Sequence, residues 1–385
     1  MKYSNITEKR KALGINIKEF ADALGYDQNG EKRLRNWEKG LEDVPEDEYE
    51  RIMKFATVTP YKKQTENPEF RFIDLFAGIG GIRISFQELG GKCVFASEFD
   101  PYAVKTYSTN FGGDDIHGDI TAIESKDIPD FEVLLAGFPC QPFSQAGLHL
   151  GFSDTRGTLF FEVERIIRDK RPHAFLLENV KQLVGHDHGN TFKVIVEHLK
   201  ALNYSVDYKI LAARDFGVPQ IRERIYIVGF DREYYNLDKS FHFVFPEPSN
   251  IQTRIGNILE KHVNAKYTLS DKLWQGHQTR KERNKQNGKG FGYSLFNDES
   301  SYVSTLSARY YKDGSEILIE QAGKTPRKLT PRECARLQGF PEEYIIPVSD
   351  CRAYKQFGNS VSVPVIRAIS RRMKSTIDNL ETREV

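Results

Sequence analysis

The chain has 385 residues, a net charge of +1 and 28% charged residues. That length predicts two or three domains, each able to bury a core, and the near-balanced charge excludes a uniformly basic nucleic-acid binder, so any such contact must come from local patches. No apolar run nears the roughly 18 residues of a membrane span, the basic start "MKYSNITEKRKALG" leads into no apolar leader segment, and the four cysteines (93, 140, 334, 351) lack the spacing of a zinc knuckle or a disulfide framework; the expectation is a soluble, reduced, intracellular protein.

Residues 1–57 carry apolar groups at helical spacing (Leu13, Ile15, Phe20, Ala21, Leu24, then Leu34, Trp37, then Ile52, Phe55), punctuated by Gly14, Gly25, Gly30 and Gly40. "VTPYKKQTENP" (58–68) is polar with two prolines and reads as a linker. From Phe70 the texture changes. "RFIDLFAG", "KCVFASEF", "FEVLLAGF", "HAFLLENV", "VDYKILAA" and "RIYIVGF" are short runs of β type, most of them separated by helical stretches. Such alternation predicts a parallel sheet covered on both faces. Residues 231–324 are polar, aromatic and loop-rich, with eight basic residues against two acids within 261–290. "TPRECARLQGF" predicts a helix, "YKQFGNSVSVPVIRAISRRM" an extended segment, and the tail after about Arg372 a loosely ordered end.

Five motifs carry chemistry. In "FIDLFAGIGGIRISF" a strand runs into a glycine turn (Gly78, Gly80, Gly81) and then a helix. A ligand can approach such a backbone closely, near the helix start. Arg83 stands where GxGxxG would have its third glycine, so the turn does not identify a dinucleotide. Glu98, closing the next strand, suits ribose hydroxyls, and "GDI" (118–120) ends a further short strand; an adenosine-type ligand fits both.

In "VLLAGFPCQPFSQAG" Cys140 follows an apolar strand and lies between two prolines, so its thiol is expected at the carboxyl edge of the sheet, where α/β folds bind ligands. An inert buried cysteine is the plain alternative. A Cys/His nucleophile is the other, but His149 lies on a glycine-containing stretch poorly suited to a fixed base. "AFLLENV" ends in Glu178 and Asn179 at the same edge. An acid there is half-desolvated and its pKa should rise; a helix cap or a surface acid is the alternative. In "VPQIRERIYIVGF" Gln220, Arg222 and Arg224 alternate and should share one face, suited to an anion or a base, or merely form a solvated edge. "FGNSVSVPV" reads by itself as an ordinary turn at Asn359-Ser360.

In this order the motifs resemble the DNA cytosine-5 methyltransferases of bacterial modification systems, over about 70–375 with a gap near 231–300. "DLFAGIGG", "GFPCQPFSQAG", "ENV", "QIRERIYIVGF", "RKLTPRECARLQGFP" and "FGNSVSVPV" all fall in family order. The resemblance implies an α/β, Rossmann-like, mostly parallel sheet that binds S-adenosylmethionine and no metal, with duplex-DNA cytosine as methyl acceptor. It assigns Phe76, Gly78, Gly80, Glu98, Asp119, Ile120, Pro139, Asn359 and Ser360 to the cofactor. It makes Cys140 the nucleophile and Glu178 the group that holds the cytosine, with Arg222 and Arg224 orienting the base and the site. The loop 145–157 becomes a lid over a flipped base. It also implies catalytic residues 70–230 plus 325–385 and an inserted target-recognition domain, 231–324. Gln220 before that domain and Thr305, Arg309, Tyr310 and Tyr311 within it are candidate base readers, and "STLSARYYKDG" is similar to segments of members that act on CCNGG, CCWGG or CCGG.

Residues 1–57 lie outside that resemblance. "IKEFADALGYDQNGEKRLRNWEKG" resembles the all-α helix-turn-helix of phage-repressor-like regulators, with Lys32, Arg33 and Arg35 on the second helix. A regulator of its own operon is implied, set against a plain helical cap. Implied too are a monomer on the target, a dimer at an operator, and a bacterial, cytoplasmic, nucleoid-associated site. The rival readings are a NAD-type oxidoreductase, which leaves Cys140 and Glu178 unexplained, a DNA-binding regulator with a degenerate catalytic domain, and the tRNA-directed branch of the same family. The basic 231–324 segment and the repressor-like head argue for duplex DNA.

Overall fold

Val133–Ala136 (β4), apolar and buried throughout, is the middle strand of a seven-stranded sheet in the order β3-β2-β1-β4-β5-β7-β6. The computed structural model describes residues 2–139, 159–249, 251–290 and 292–382; Cys140, His149 and the expected lid 145–157 lie outside them. β1 (Phe70–Leu75), β2 (Gly91–Ser97), β3 (Ile116–His117), β4 and β5 (Ala174–Val180) are parallel. β7 (Glu223–Asp231) runs antiparallel to both β5 and β6 (Tyr204–Ala212). Residues 213–222 alone join β6 to β7, and a parallel return needs a dozen or more residues. The sheet is therefore mostly parallel with one reversed strand.

Alternate residues feed two cores. Phe72, Val133, Leu135 and Leu176 face α5 (Gly81–Gln87) and α6 (Pro101–Phe111), whereas Ile73, Leu75, Leu134 and Leu177 face α7 (Leu159–Lys170) and α8 (Asn190–Ala201). The 231–324 region packs into the first of these cores through Phe243, Phe245, Ile255, Tyr267, Val303, Leu306, Tyr310 and Ile317. It contributes one long helix, α9 (Asp271–Gln286), and two strands, β8 (Leu295–Phe296) and β9 (Leu318–Gln321), of a small sheet completed by β10 (Lys324–Arg327).

The C-terminal expectations need correction. After α10 (Pro331–Leu337), opened by a Thr330/Glu333 capping box, the segment expected to be extended forms two helices, α11 (Asp350–Asn359) and α12 (Val363–Glu381). The β-branched run around Pro364 looks strand-like. However, Pro364 opens a helix well, and Val365, Ile366, Ile369 and Met373 repeat at helical spacing and are buried. The tail is correspondingly ordered: Leu380 is buried in the main core.

Residues 2–54 form four helices, α1 (Lys2–Ala12), α2 (Ile17–Ala23), α3 (Gly30–Glu38) and α4 (Glu46–Lys54), around a third core of Ile6, Phe20, Leu24, Leu34, Trp37 and Ile52. A capping box at Asn16/Glu19 starts α2. This head rests on the rest of the chain through Lys105, whose Nζ donates to Gly14 O at 2.5 Å, and through Lys266, whose Nζ lies 3.0 Å from Asp22 and 2.9 Å from Asp350.

Candidate active site and cofactor cavity

A cavity of about 650 Å³ opens at the carboxyl ends of β1, β2, β4 and β5. β1 ends in a tight turn where Phe76, a non-glycine residue, takes φ 55° and Gly80 takes φ 78°. A Cβ on Gly80 would stand 2.2 Å from the Phe111 ring, so both the backbone sign and the space demand glycine. The Gly78 amide donates to Glu98 Oε2 at 2.9 Å, and the Asp100 amide donates to Oε1 at 2.8 Å. Burial raises the pKa of Glu98, and those amides oppose the rise. Asp100 caps α6 and accepts from Lys355 Nζ at 2.9 Å, tying α6 to α11 across the cavity. Phe99 exposes 74% of its surface on the same wall.

Phe76, Gly78, Glu98, Asp119, Ile120, Pro139, Asn359 and Ser360 all line this one cavity, whereas Gly80 does not line it and packs against Phe111. Asp119 caps a short 3-10 turn through Thr121 N at 3.0 Å and is exposed; Ile120 is buried. A polar end (Glu98, Asp119, backbone amides) joined to an apolar wall suits an adenosine-bearing ligand.

At the other end stands Glu178. It is 9% exposed, and burial raises its pKa against the opposing pull of Arg224 and then Arg222. The β5–β7 register places Tyr226 opposite Glu178 and Arg224 opposite Val180, so the period of two puts Arg224 on the face of Glu178. Arg224 Nε lies 3.2 Å from Glu178 Oε1, yet the angle makes no hydrogen bond, and among the described residues Oε1 is buried without one. A carboxyl so placed, facing the cavity, retains its capacity to bind a polar ring edge. Asn179, given no role beyond closing its strand, donates Nδ2 to Phe138 O at 2.8 Å. It thus holds the chain immediately before Pro139 and Cys140. A polar residue ending an apolar strand was the available signal. Lys355, Gln356 and Phe99 were missed because nothing local marks them.

Three of the expected base readers, Gln220, Thr305 and Tyr310, make hydrogen bonds inside the fold. Gln220 and Arg222 precede β7 rather than alternating along it, and both are buried. Arg222 donates Nη1 to Leu306 O at 3.2 Å and Nη2 to the carbonyls of Gly358 (3.3 Å) and Ser360, bracing the cavity wall. Burial, then Arg224, lower its pKa, and Glu178 opposes them. Gln220 has no surface for DNA; its amide is committed to Leu337, Gln338 and Leu306. The Thr305 hydroxyl donates to Ile221 O, so it too is engaged internally. Tyr310 is a core residue whose hydroxyl donates to Ile317 O at 2.7 Å. Arg309 is exposed and its guanidinium makes no hydrogen bond among the described residues. In the head, Lys32 and Arg35 are exposed on α3; Arg35 reaches Glu31 at 2.7 Å, and Arg33 reaches Asp27 at 3.0 Å.

A mostly parallel sheet with a glycine turn, a ribose-type acid and a second acid at one carboxyl edge defines a Rossmann-like methyltransferase. The description of the C-5 cytosine-specific DNA methylases matches residues 70–375. The chain belongs to that family. It is 58% identical over 377 residues to the Type II methyltransferase M.SsoII of Shigella sonnei, covering 98% of each chain. It is also 58% identical over 374 residues to M1.ScrFI of Lactococcus lactis subsp. cremoris, covering 97% of this chain and 95% of that one. M.NlaX of Neisseria lactamica is 60% identical over 318 residues, which is all of M.NlaX but 82% of this chain. In fold, S. pombe Dnmt2 superposes at TM-score 0.65 with 22% identity, covering 80% of this chain and 99% of that one. The protein is a DNA (cytosine-5)-methyltransferase of the Type II restriction-modification kind, and S-adenosylmethionine is the methyl donor general to its family.

Proposed function

We propose that this enzyme methylates C5 of a cytosine extruded from a short GC-rich palindrome of CCNGG, CCWGG or CCGG type, and that its head represses transcription from an operator. The observation that carries the catalytic reading is the buried Glu178 carboxyl, paired with Arg224, at one end of a cavity whose other end holds Glu98 and the Gly78 turn. S-adenosylmethionine, when bound, would supply an electrophilic methyl group whose bond to sulfur breaks on transfer, the electron pair leaving with the sulfur as S-adenosylhomocysteine. Glu98 takes the ribose hydroxyls, Asp119 and Ile120 flank the adenine, and Phe76, Pro139, Asn359 and Ser360 complete the pocket.

Cytosine C5 is a poor nucleophile. Addition of the Cys140 thiolate to C6, with a proton held at N3 by Glu178, makes the ring an enamine whose C5 can attack the methyl carbon. Loss of the C5 proton then expels the thiolate. Glu178 suits the task because burial keeps its carboxyl protonated above the usual carboxylate range. The exposed Lys272, Lys281, Arg283, Lys285 and Lys289 on and beside α9 suit phosphate contacts, and Arg309 suits a base edge. For the head, support comes from its own core, the exposed Lys32 and Arg35 on α3, and a position outside the matched residues 70–375.

Bisulfite sequencing of host DNA expressing the chain reads the mark and its context together. A GC-rich palindrome with one methylated cytosine is expected, and Cys140→Ser should erase the mark; a mark that survives in Cys140→Ser overturns the mechanism. Deleting residues 1–57 should spare the mark and abolish binding to upstream DNA of its own operon; loss of the mark would make the head structural.

A further inference from the structure

We propose that Gln220 and Gln338 are positioning residues: a buried glutamine pair that sets the segment 304–309 against the cavity wall 357–360, and with it the enzyme's sequence discrimination. The inference rests on reading 304–309 as target-reading. Both side chains are wholly buried. Gln220 Oε1 accepts from Leu306 N at 3.0 Å, and its Nε2 donates to Leu337 O at 3.0 Å and Gln338 Oε1 at 3.2 Å. Gln338 Nε2 donates onward to Phe357 O at 2.7 Å. Hydrogen bonds therefore run without a break from Leu306, through two amides, to the residue before Gly358.

Two further contacts hold the same pair of segments. A Cβ on Gly358 would stand 2.3 Å from Ser307 O and 2.5 Å from Ala308 N, so only glycine lets the two backbones touch. Arg222 bridges Leu306 O and Gly358 O. Apolar packing would hold these segments together but tolerate sliding. Amides hydrogen-bonded through both nitrogen and oxygen specify direction as well as distance. The backbone at the exposed Arg309 is thereby set relative to Asn359 and Ser360 on the cofactor wall, so a base pair misread at one end displaces the acceptor from the methyl donor at the other.

The test is a ratio. The full chain is given a duplex carrying the site found by bisulfite sequencing and a second duplex with one base pair of that site changed. Discrimination is the quotient of the two kcat/KM values, in which the fraction of folded protein cancels. Gln220→Met and Gln338→Met should lower it about tenfold or more, while S-adenosylhomocysteine affinity without DNA stays within about twofold of native. Gly358→Ala, which forces the same segments apart without touching either amide, should lower it as well. A native ratio in both glutamine variants overturns the proposal. If either glutamine variant cannot be purified folded, the other and Gly358→Ala decide it, and a native ratio in those two overturns it equally. Arg309→Ala separates the premise from the inference. If it lowers the ratio and the glutamine variants do not, the target-reading assignment stands and the positioning role falls. If Arg309→Ala leaves the ratio native, that assignment falls, and the proposal with it.

Discussion

Arg224 Nε stands 3.2 Å from Glu178 Oε1 without making a hydrogen bond to it. The cation stabilises the ionised carboxyl, whereas burial, the larger effect, favours the neutral one. Glu178 is therefore protonated over a window above the usual carboxylate range. The rate of methyl transfer should fall as pH rises through the raised pKa. Arg224→Met removes the pull toward ionisation, so the falling limb should move to higher pH. Glu178→Gln should lower the rate by about a hundredfold or more and flatten that limb. Single-turnover rates across pH check all three, and a limb that shifts downward in Arg224→Met contradicts the assignment.

Asp74 is a second carboxyl whose protonation depends on burial. It is fully buried in β1, neither carboxyl oxygen has a hydrogen-bond partner among the described residues, and burial pushes its pKa well up. As pH rises past the ordinary carboxylate value, the unfolded chain ionises here and the folded chain does not, so stability drains away until the raised pKa is passed. Asp74→Asn abolishes this loss. Its melting temperature relative to native should rise between about pH 5 and about pH 8. A difference that stays flat across that range means that Asp74 is ionised in the fold.

Lys266 links the head to the body. Its ammonium bridges Asp22 of α2 and Asp350 of α11, all three largely buried. Removing the cation leaves two carboxylates facing each other. Lys266→Met should cost about 1–3 kcal/mol and free the head, so that limited proteolysis cuts the 58–69 linker faster. Asp22→Asn keeps the Asp350 pair and should cost less. Equal cleavage rates in native and Lys266→Met would show that the bridge does not hold the head.

Gly80 answers to two constraints at once. Gly80→Ala meets the Phe111 ring at 2.2 Å and keeps a positive φ. It should lose both stability and S-adenosylhomocysteine affinity. Adding Phe111→Ala relieves the clash but not the dihedral, which costs about 1 kcal/mol. The double variant should bind more tightly than Gly80→Ala if the clash dominates, as calorimetric titration will tell.

Much of this was legible in the chain. Short β-type runs alternating with helices imply the sheet because a strand buried on both faces must be apolar throughout, as Val133–Ala136 is. The glycine turn, Glu98 and Glu178 were legible because each interrupts an apolar pattern at a strand end, where a polar residue needs a reason. The period failed around Pro364. There β-branched residues satisfy both a strand and an amphipathic helix, and only the face they bury, against α5 and the main core, selects the helix.

Local pattern by itself thus determined most strands of the sheet and which strand ends meet at the cavity, because backbone period and burial act over a few residues. Partnership was decided only by tertiary structure. Nothing near Gln220 announces Gln338, and nothing near Lys266 announces Asp22. Gln220 looks like a reader of DNA, and Arg222 like a group that orients a base, until the segments at 306 and 358 close over them. A polar side chain advertises its capacity to bond, but burial assigns the partner, because a buried donor left without one is costly.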